Sequence, residues 1–155
     1  MSEVAPFGQD VQKSPEELKQ SVVDLENAML RMTDRQIELV TIHHFSPGIY
    51  MRELRIPAGV TLTGAIHKTE HLNILSKGDL SVMTEEGIKR LTASQVIKST
   101  PGIKRAGYAH QDPVWITVHS NPDNIRDVKE LWELLVVEAF DYKDKITDKK
   151  KMEIT

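Results

Sequence analysis

His67 and His71 lie four residues apart in the run Ala65-Ile66-His67-Lys68-Thr69-Glu70-His71. Imidazole ligates transition metals and carries protons near neutral pH, so two rings at short spacing can start a mononuclear site. In a helix this spacing would put both rings on one face. The β-rich surroundings instead predict a bend interrupting a strand, with the even spacing sending both side chains inward. Open catalytic metal sites generally take a third protein ligand. Alternation along Val114–His119 groups Trp115, Thr117 and His119 on one side of a strand, and Val114, Ile116 and Val118 on the other. If the first set faces the interior, His119 completes a three-nitrogen site with His67 and His71, and Glu70 stands beside it as a further ligand or general base. His67 and His71 hydrogen-bonded in an interior without metal are the competing reading.

The 155-residue chain has six histidines and no cysteine, so any metal must be held by nitrogen and oxygen. The same count excludes a disulfide scaffold, thiolate zinc sites, Cys-ligated iron–sulfur clusters and a Cys nucleophile. No phosphate-binding loop and no serine-centred nucleophile elbow is present, which removes two further reaction classes. Tyr50 and Arg52 share strand parity and can line one cavity, although Arg52 can equally pair with Glu53 or Asp79. Trp115 is large enough to form an apolar cavity wall. Of His43 and His44, adjacent on a strand, one at most faces the interior. His110, in Tyr108-Ala109-His110-Gln111-Asp112-Pro113, reads as part of a surface hairpin connection.

These residues need a scaffold, and the chain reads as one mainly β domain between two helices. Residues 1–13 lack periodicity and form a lead-in. Ser14-Pro15-Glu16-Glu17 is a capping box with proline at the first helical position, opening a helix over 14–33. Its stripe of Leu18, Val22, Leu25, Met29 and Met32 packs on the domain or makes a short dimer seam. From 37 to 119 the helical period vanishes. Short β-rich runs follow: Ile37–His43, Tyr50–Ile56, Thr61–His67, His71–Ser76, Leu80–Met83, Lys89–Leu91, Gln95–Ser99 and Val114–His119. Turn chemistry separates them, including Lys77-Gly78-Asp79 and Gln111-Asp112-Pro113. Such spacing predicts an antiparallel sandwich or barrel, and the missing helical segments argue against a parallel sheet. Asn121-Pro122-Asp123 then caps a helix over 121–140, whose Ile125, Val128, Trp132, Leu135 and Ala139 face covers one sheet or barrel mouth. Residues 141–155 form a charged tail.

From Pro57-Ala58-Gly59 to His119 the chain resembles the cupin family, specifically small single-domain cupin-like proteins of bacteria and phages. Cupins carry one motif with two histidines, a glutamate and a downstream glycine, and a second with a Pro-Gly turn and a third histidine. His67 matches the second histidine of the first motif and Gly78 its closing glycine. His71 occupies the glutamate position, with Glu70 beside it, and Ala65 falls where the first histidine stands. In Pro101-Gly102-Ile103-Lys104-Arg105, Arg105 takes the place of the third histidine. The resemblance implies an antiparallel double-stranded β-helix, a jelly-roll barrel, with a ligand site inside it. Arg105 changes what that site suits: a permanent cation repels metal and grips a carboxylate, phosphate or sugar acid through two parallel hydrogen bonds. Of Lys104 and Arg105, one is expected to point inward and the other to solvent.

Three readings follow. The favoured one is a barrel binding a small polar or anionic molecule between Arg105, Tyr50, Arg52 and Trp115, with or without catalysis. The second is a metal-dependent enzyme of dioxygenase or isomerase type, with Fe, Mn, Ni or Zn on His67, His71 and His119. The third is a structural or interaction module, phage-associated by analogy with the resemblance, or a homodimer through its first helix. The net charge of −3 predicts no nucleic-acid surface. No apolar run reaches the ~20 residues of a membrane span. With no signal pattern at the N-terminus, the expected location is the cytoplasm, that of the host if the chain is phage-encoded.

Overall fold

The computed structural model describes residues 13–84 and 87–137. The expected lead-in apart from Lys13, the end of the second helix and the charged tail fall outside the described residues.

Helix α1 (Pro15–Arg31) starts as its sequence demands. Ser14 Oγ accepts from the Glu17 amide at 3.2 Å, and the Glu17 carboxylate accepts from the Ser14 amide at 3.3 Å. Two of the amides that a helix start leaves without partners are thereby satisfied. Val22, Glu26 and Met29 are the buried face, laid beside the strands Thr61–Thr63 and His71–Thr84, so the apolar stripe packs on the domain.

Seven strands follow among the described residues: β1 (Val40–Ser46), β2 (Gly48–Arg55), β3 (Thr61–Thr63), β4 (His71–Thr84), β5 (Gly87–Thr92), β6 (Gln95–Ser99) and β7 (Ala106–Asn121). All pairings are antiparallel. Two of these strands are twice as long as the turn chemistry predicts. Lys77-Gly78-Asp79 and Gln111-Asp112-Pro113 do not reverse the chain; they are facing irregularities in β4 and β7, where the register between the two strands shifts. Gly78 has φ +89°, and a Cβ there would sit 2.2 Å from the Gln111 carbonyl oxygen, so only glycine fits. Asp112 takes φ 27°, and its carboxylate accepts from the Ala58 amide at 2.9 Å.

Bent at these irregularities, β4 and β7 each serve two sheets. Their halves nearest the site, His71–Lys77 and Val114–Asn121, carry β6 on one side and β2 then β1 on the other. Their other halves, Asp79–Thr84 and Ala106–Gln111, carry β5 and β3. The result is a jelly-roll barrel, mainly β, with a helix at each end of the chain order. Inward residues of the two sheets make the core: Leu54, Ile56, Leu62 and Ala109 in one cluster, and Leu75, Leu80 and Val82 in another, with Trp115 packed against both. Each fully buried leucine contributes about 2 kcal/mol of transfer free energy.

Helix α2 (Val128–Leu135) begins later than the Asn-Pro-Asp run suggests. Asp127 is the cap, accepting from the Glu130 amide at 3.1 Å. Asn121 instead closes a loop, its side chain bonded to both the amide and the carbonyl of Ile125. Leu131, Leu135 and Val136 pack with Tyr50 and Ala65 and cover one end of the barrel. No described helix is long and apolar enough to cross a membrane.

Candidate functional site

The chain between β3 and β4 leaves the sheet after Thr63 and returns at His71, which produces the bend expected around the paired histidines. His71 opens β4 with its side chain inward, and its Nδ1 lies 3.0 Å from the Thr69 carbonyl oxygen, to which it donates. His119 lies on β7 opposite Tyr50 of β2. His67 sits on the connecting segment, held from both sides. It bridges to Val136, its carbonyl accepts from the Gly102 amide at 3.0 Å, and Val137 N donates to the neighbouring Ile66 carbonyl at 2.7 Å.

Strand parity and this bend bring the three expected rings together. Their centroids are 4.2 Å apart for His67 and His71, 5.2 Å for His67 and His119, and 5.3 Å for His71 and His119. Burial pushes all three below the usual imidazole range. His67 falls to about 2, from burial first and then from the neighbouring His71 and His119 rings. His119 falls to about 3, from burial and then from His71 and the Arg52 charge. His71 is lowered by burial and by Arg105, against the opposing effect of its bond to Thr69. At neutral pH the cluster is three neutral imidazoles.

A cavity of about 60 Å³ lies between the two sheets. Arg52, Trp115, Thr117 and Asn73 reach it from the histidine-bearing sheet, and Leu62, Leu80 and Val82 from the other. Arg105, preceding β7, and Trp132 of α2 complete it. Trp132 meets His67 edge-on at 6.4 Å, and the Arg52 guanidinium lies 5.4 Å from the Trp132 ring centre. Among the described wall residues, the two arginines are the only permanently charged side chains.

Several expectations need correction. Glu70 is exposed and lies 3.9 Å from Lys98 on the outer surface. As the residue before inward-pointing His71, it takes the opposite face, so it is neither ligand nor base for this cavity. Tyr50 is fully buried but stands behind the wall: its ring stacks on His119 at 5.7 Å, and its hydroxyl bonds His43 Nδ1 at 2.7 Å. Tyr50 therefore positions His119. Arg52 does face the cavity; Glu53 pairs with Arg55 and Asp79 with Arg90. Neither Lys104 nor Arg105 points to open solvent. Lys104 is buried with its ammonium 2.7 Å from Glu26 of α1, while Arg105 is half-buried on the cavity wall. His110 is not in a hairpin turn. It lies within β7, with Nε2 2.7 Å from Ser81 Oγ.

Two contributors escaped the sequence reading. Asn73 follows His71 by two residues and so shares its inward face; it accepts from Thr117 Oγ1 at 3.1 Å and donates to Ser99. That parity was available as a signal. Trp132 reads only as part of a helix face, because nothing local shows that α2 folds over the His67 segment.

Whether a metal suits the cluster can be judged from its donors. Three neutral imidazoles are proper ligands for a divalent ion, and His119 Nδ1 is buried with no hydrogen-bond partner among the described residues. Against this, no three His, Asp or Glu groups among the described residues are set to hold one ion. Two guanidiniums also adjoin the rings. The set as arranged does not fit a metal centre.

No family model matches the chain. No curated protein matches it either. Solved structures do. A cupin superfamily protein from Desulfitobacterium hafniense is 9% identical, with 56% of this chain and 80% of that one covered, at a TM-score of 0.47. KdgF from Halomonas sp. is 14% identical, with coverages of 61% and 88% and a TM-score of 0.49. The DMSP lyase DddQ from Ruegeria pomeroyi is 16% identical over 52% of this chain and 45% of that one, at a TM-score of 0.46.

Proposed function

We propose that the barrel binds a small anion, carrying a carboxylate or phosphate group, at Arg52 and Arg105. The observation that carries this reading is the convergence of both guanidiniums on one cavity beside three neutral imidazoles. Guanidinium donors recognise planar anions through paired hydrogen bonds, and a partly enclosed site strengthens each of them. The neutral rings add hydrogen-bonding capacity without adding charge, so the arginines supply the attraction. Binding alone accounts for the wall as described. Glu70 lies on the outer surface, and no carboxylate is among the described wall residues.

Calorimetric titration with acetate and with inorganic phosphate, at constant ionic strength, tests the reading. Arg105→Ala is expected to weaken binding about tenfold or more, the usual scale for losing a charge-assisted hydrogen bond. Unchanged affinity removes Arg105 from the site.

The neutral histidine cluster supports a second reading, a divalent Fe, Mn, Ni or Zn ion on His67, His71 and His119 in an enzyme of dioxygenase or isomerase type. It requires the side chains to rearrange until three nitrogens converge. Elemental analysis of protein purified without chelator decides it. Less than about a tenth of an equivalent, with no gain on reconstitution, sinks the idea.

A further inference from the structure

Polarity is divided over the cavity wall, and the division carries information about the ligand beyond its charge. Arg52 and Arg105 are half-buried wall residues. His71, His119, Asn73 and Thr117 come from one sheet. The facing sheet contributes an aliphatic wall, Leu62, Leu80 and Val82, which are 6%, 3% and 4% exposed and belong to the two core clusters that share Trp115. An inorganic anion would use only the charged side and leave water against the aliphatic one. Water gains few hydrogen bonds there, and an apolar group placed in the same space releases it.

We infer that the ligand is a short-chain monocarboxylate, its carboxylate held by Arg52 and Arg105 and its aliphatic tail laid against Leu62, Leu80 and Val82. This rests on the anion reading above and narrows it to one substrate class. The cavity is small, about 60 Å³, which favours a short tail. Burying one methylene improves affinity about fourfold.

The chain has two tryptophans, Trp115 and Trp132, and both line the cavity, so intrinsic fluorescence reports its occupancy directly. Full-length protein is titrated with acetate, propionate, butyrate, inorganic phosphate and n-butylamine at constant ionic strength. The expected result is a saturable tryptophan response, about fourfold tighter per methylene from acetate to butyrate, and no response to the amine. Val82→Thr keeps the side-chain shape while making the tail wall polar. It should reduce the gain from acetate to butyrate.

If acetate and phosphate bind in an Arg105-dependent way but the series is flat, the tail site is overturned and anion binding stands. If no anion binds, or if Arg105→Ala leaves every affinity unchanged, both fall together. Butylamine binding as tightly as butyrate would overturn the carboxylate assignment and show an apolar pocket indifferent to charge. Circular dichroism of each variant confirms the fold before the affinities are compared.

Discussion

The strongest consequence at the scale of single residues is the neutrality of His67 and His119. Their values of about 2 and about 3 lie well below the 6.5 of an exposed imidazole, because burial disfavours the charged ring. The sign follows directly. Below pH 6.5 the unfolded chain takes up protons that the folded chain refuses, so the unfolded state gains as pH falls. These rings leave stability intact above pH 6.5 and erode it progressively from there toward their folded values. Each can contribute at most about 1.4 kcal/mol per pH unit in that window. Urea unfolding at pH 7, 6 and 5 should show a falling midpoint, and His67→Gln combined with His119→Gln should flatten the slope. An unaltered slope in the double variant would mean that the rings are not held neutral. His119 was legible in the sequence because strand alternation is a strict period of two, His67 and His71 because of their spacing at a bend, and Arg105 because it takes the place of the third cupin histidine after the Pro-Gly turn. Glu70 was misjudged although the same parity applied to it: beside an inward His71, it had to point out.

At the scale of elements, the join between α1 and the barrel is polar where the amphipathic stripe alone would make it apolar. Glu26, 2% exposed, accepts from Lys104 Nζ at 2.7 Å and from Thr63 Oγ1 at 2.6 Å, and Lys104 also donates to the Gly64 carbonyl. Gly64 N in turn donates to the Arg105 carbonyl at 2.8 Å, so this network holds the backbone that presents Arg105. Removing one member of a buried pair leaves the other charge desolvated, at a cost of about 3–5 kcal/mol. Glu26→Gln should lose about that much in urea unfolding, whereas Glu26→Leu with Lys104→Met should recover most of it. Equal losses in both variants would show that packing, rather than the stranded charge, sets the cost. Sequence patterning could not show this pair, because its members lie 78 residues apart. The capping box, by contrast, is local and was read correctly. Turn chemistry failed at Gly78 and at Asp112-Pro113 for a related reason. Glycine and Asx-Pro mark an unusual backbone, and only the facing strand decides whether it becomes a reversal or an irregularity in a continuing strand.

At the scale of the whole molecule, the cavity is closed by pieces that meet only in the finished fold. The end of α2 is stitched to the histidine segment through Lys68 N to the Leu135 carbonyl at 2.8 Å and Val137 N to the Ile66 carbonyl at 2.7 Å. The turn before Arg105 is tied to the same segment through Gly102 N and the His67 carbonyl. Trp132, Arg52 and His67 are in ring contact across this junction. A ligand reaching the arginines therefore engages three stretches of chain together, and any opening that lifts α2 from the His67 segment must release it. Such linkage predicts a quantitative protection. At ten times its Kd, a ligand lost on opening lowers the open population about elevenfold. Hydrogen exchange at the Lys68, Gly102 and Val137 amides should slow together by about that factor on adding a saturating short-chain carboxylate. Amides of β5, remote from the junction, should change only where they exchange through the same opening or through global unfolding. If tryptophan fluorescence reports occupancy while these three amides exchange at their ligand-free rates, α2 is a fixed cover, and the ligand enters without disturbing it.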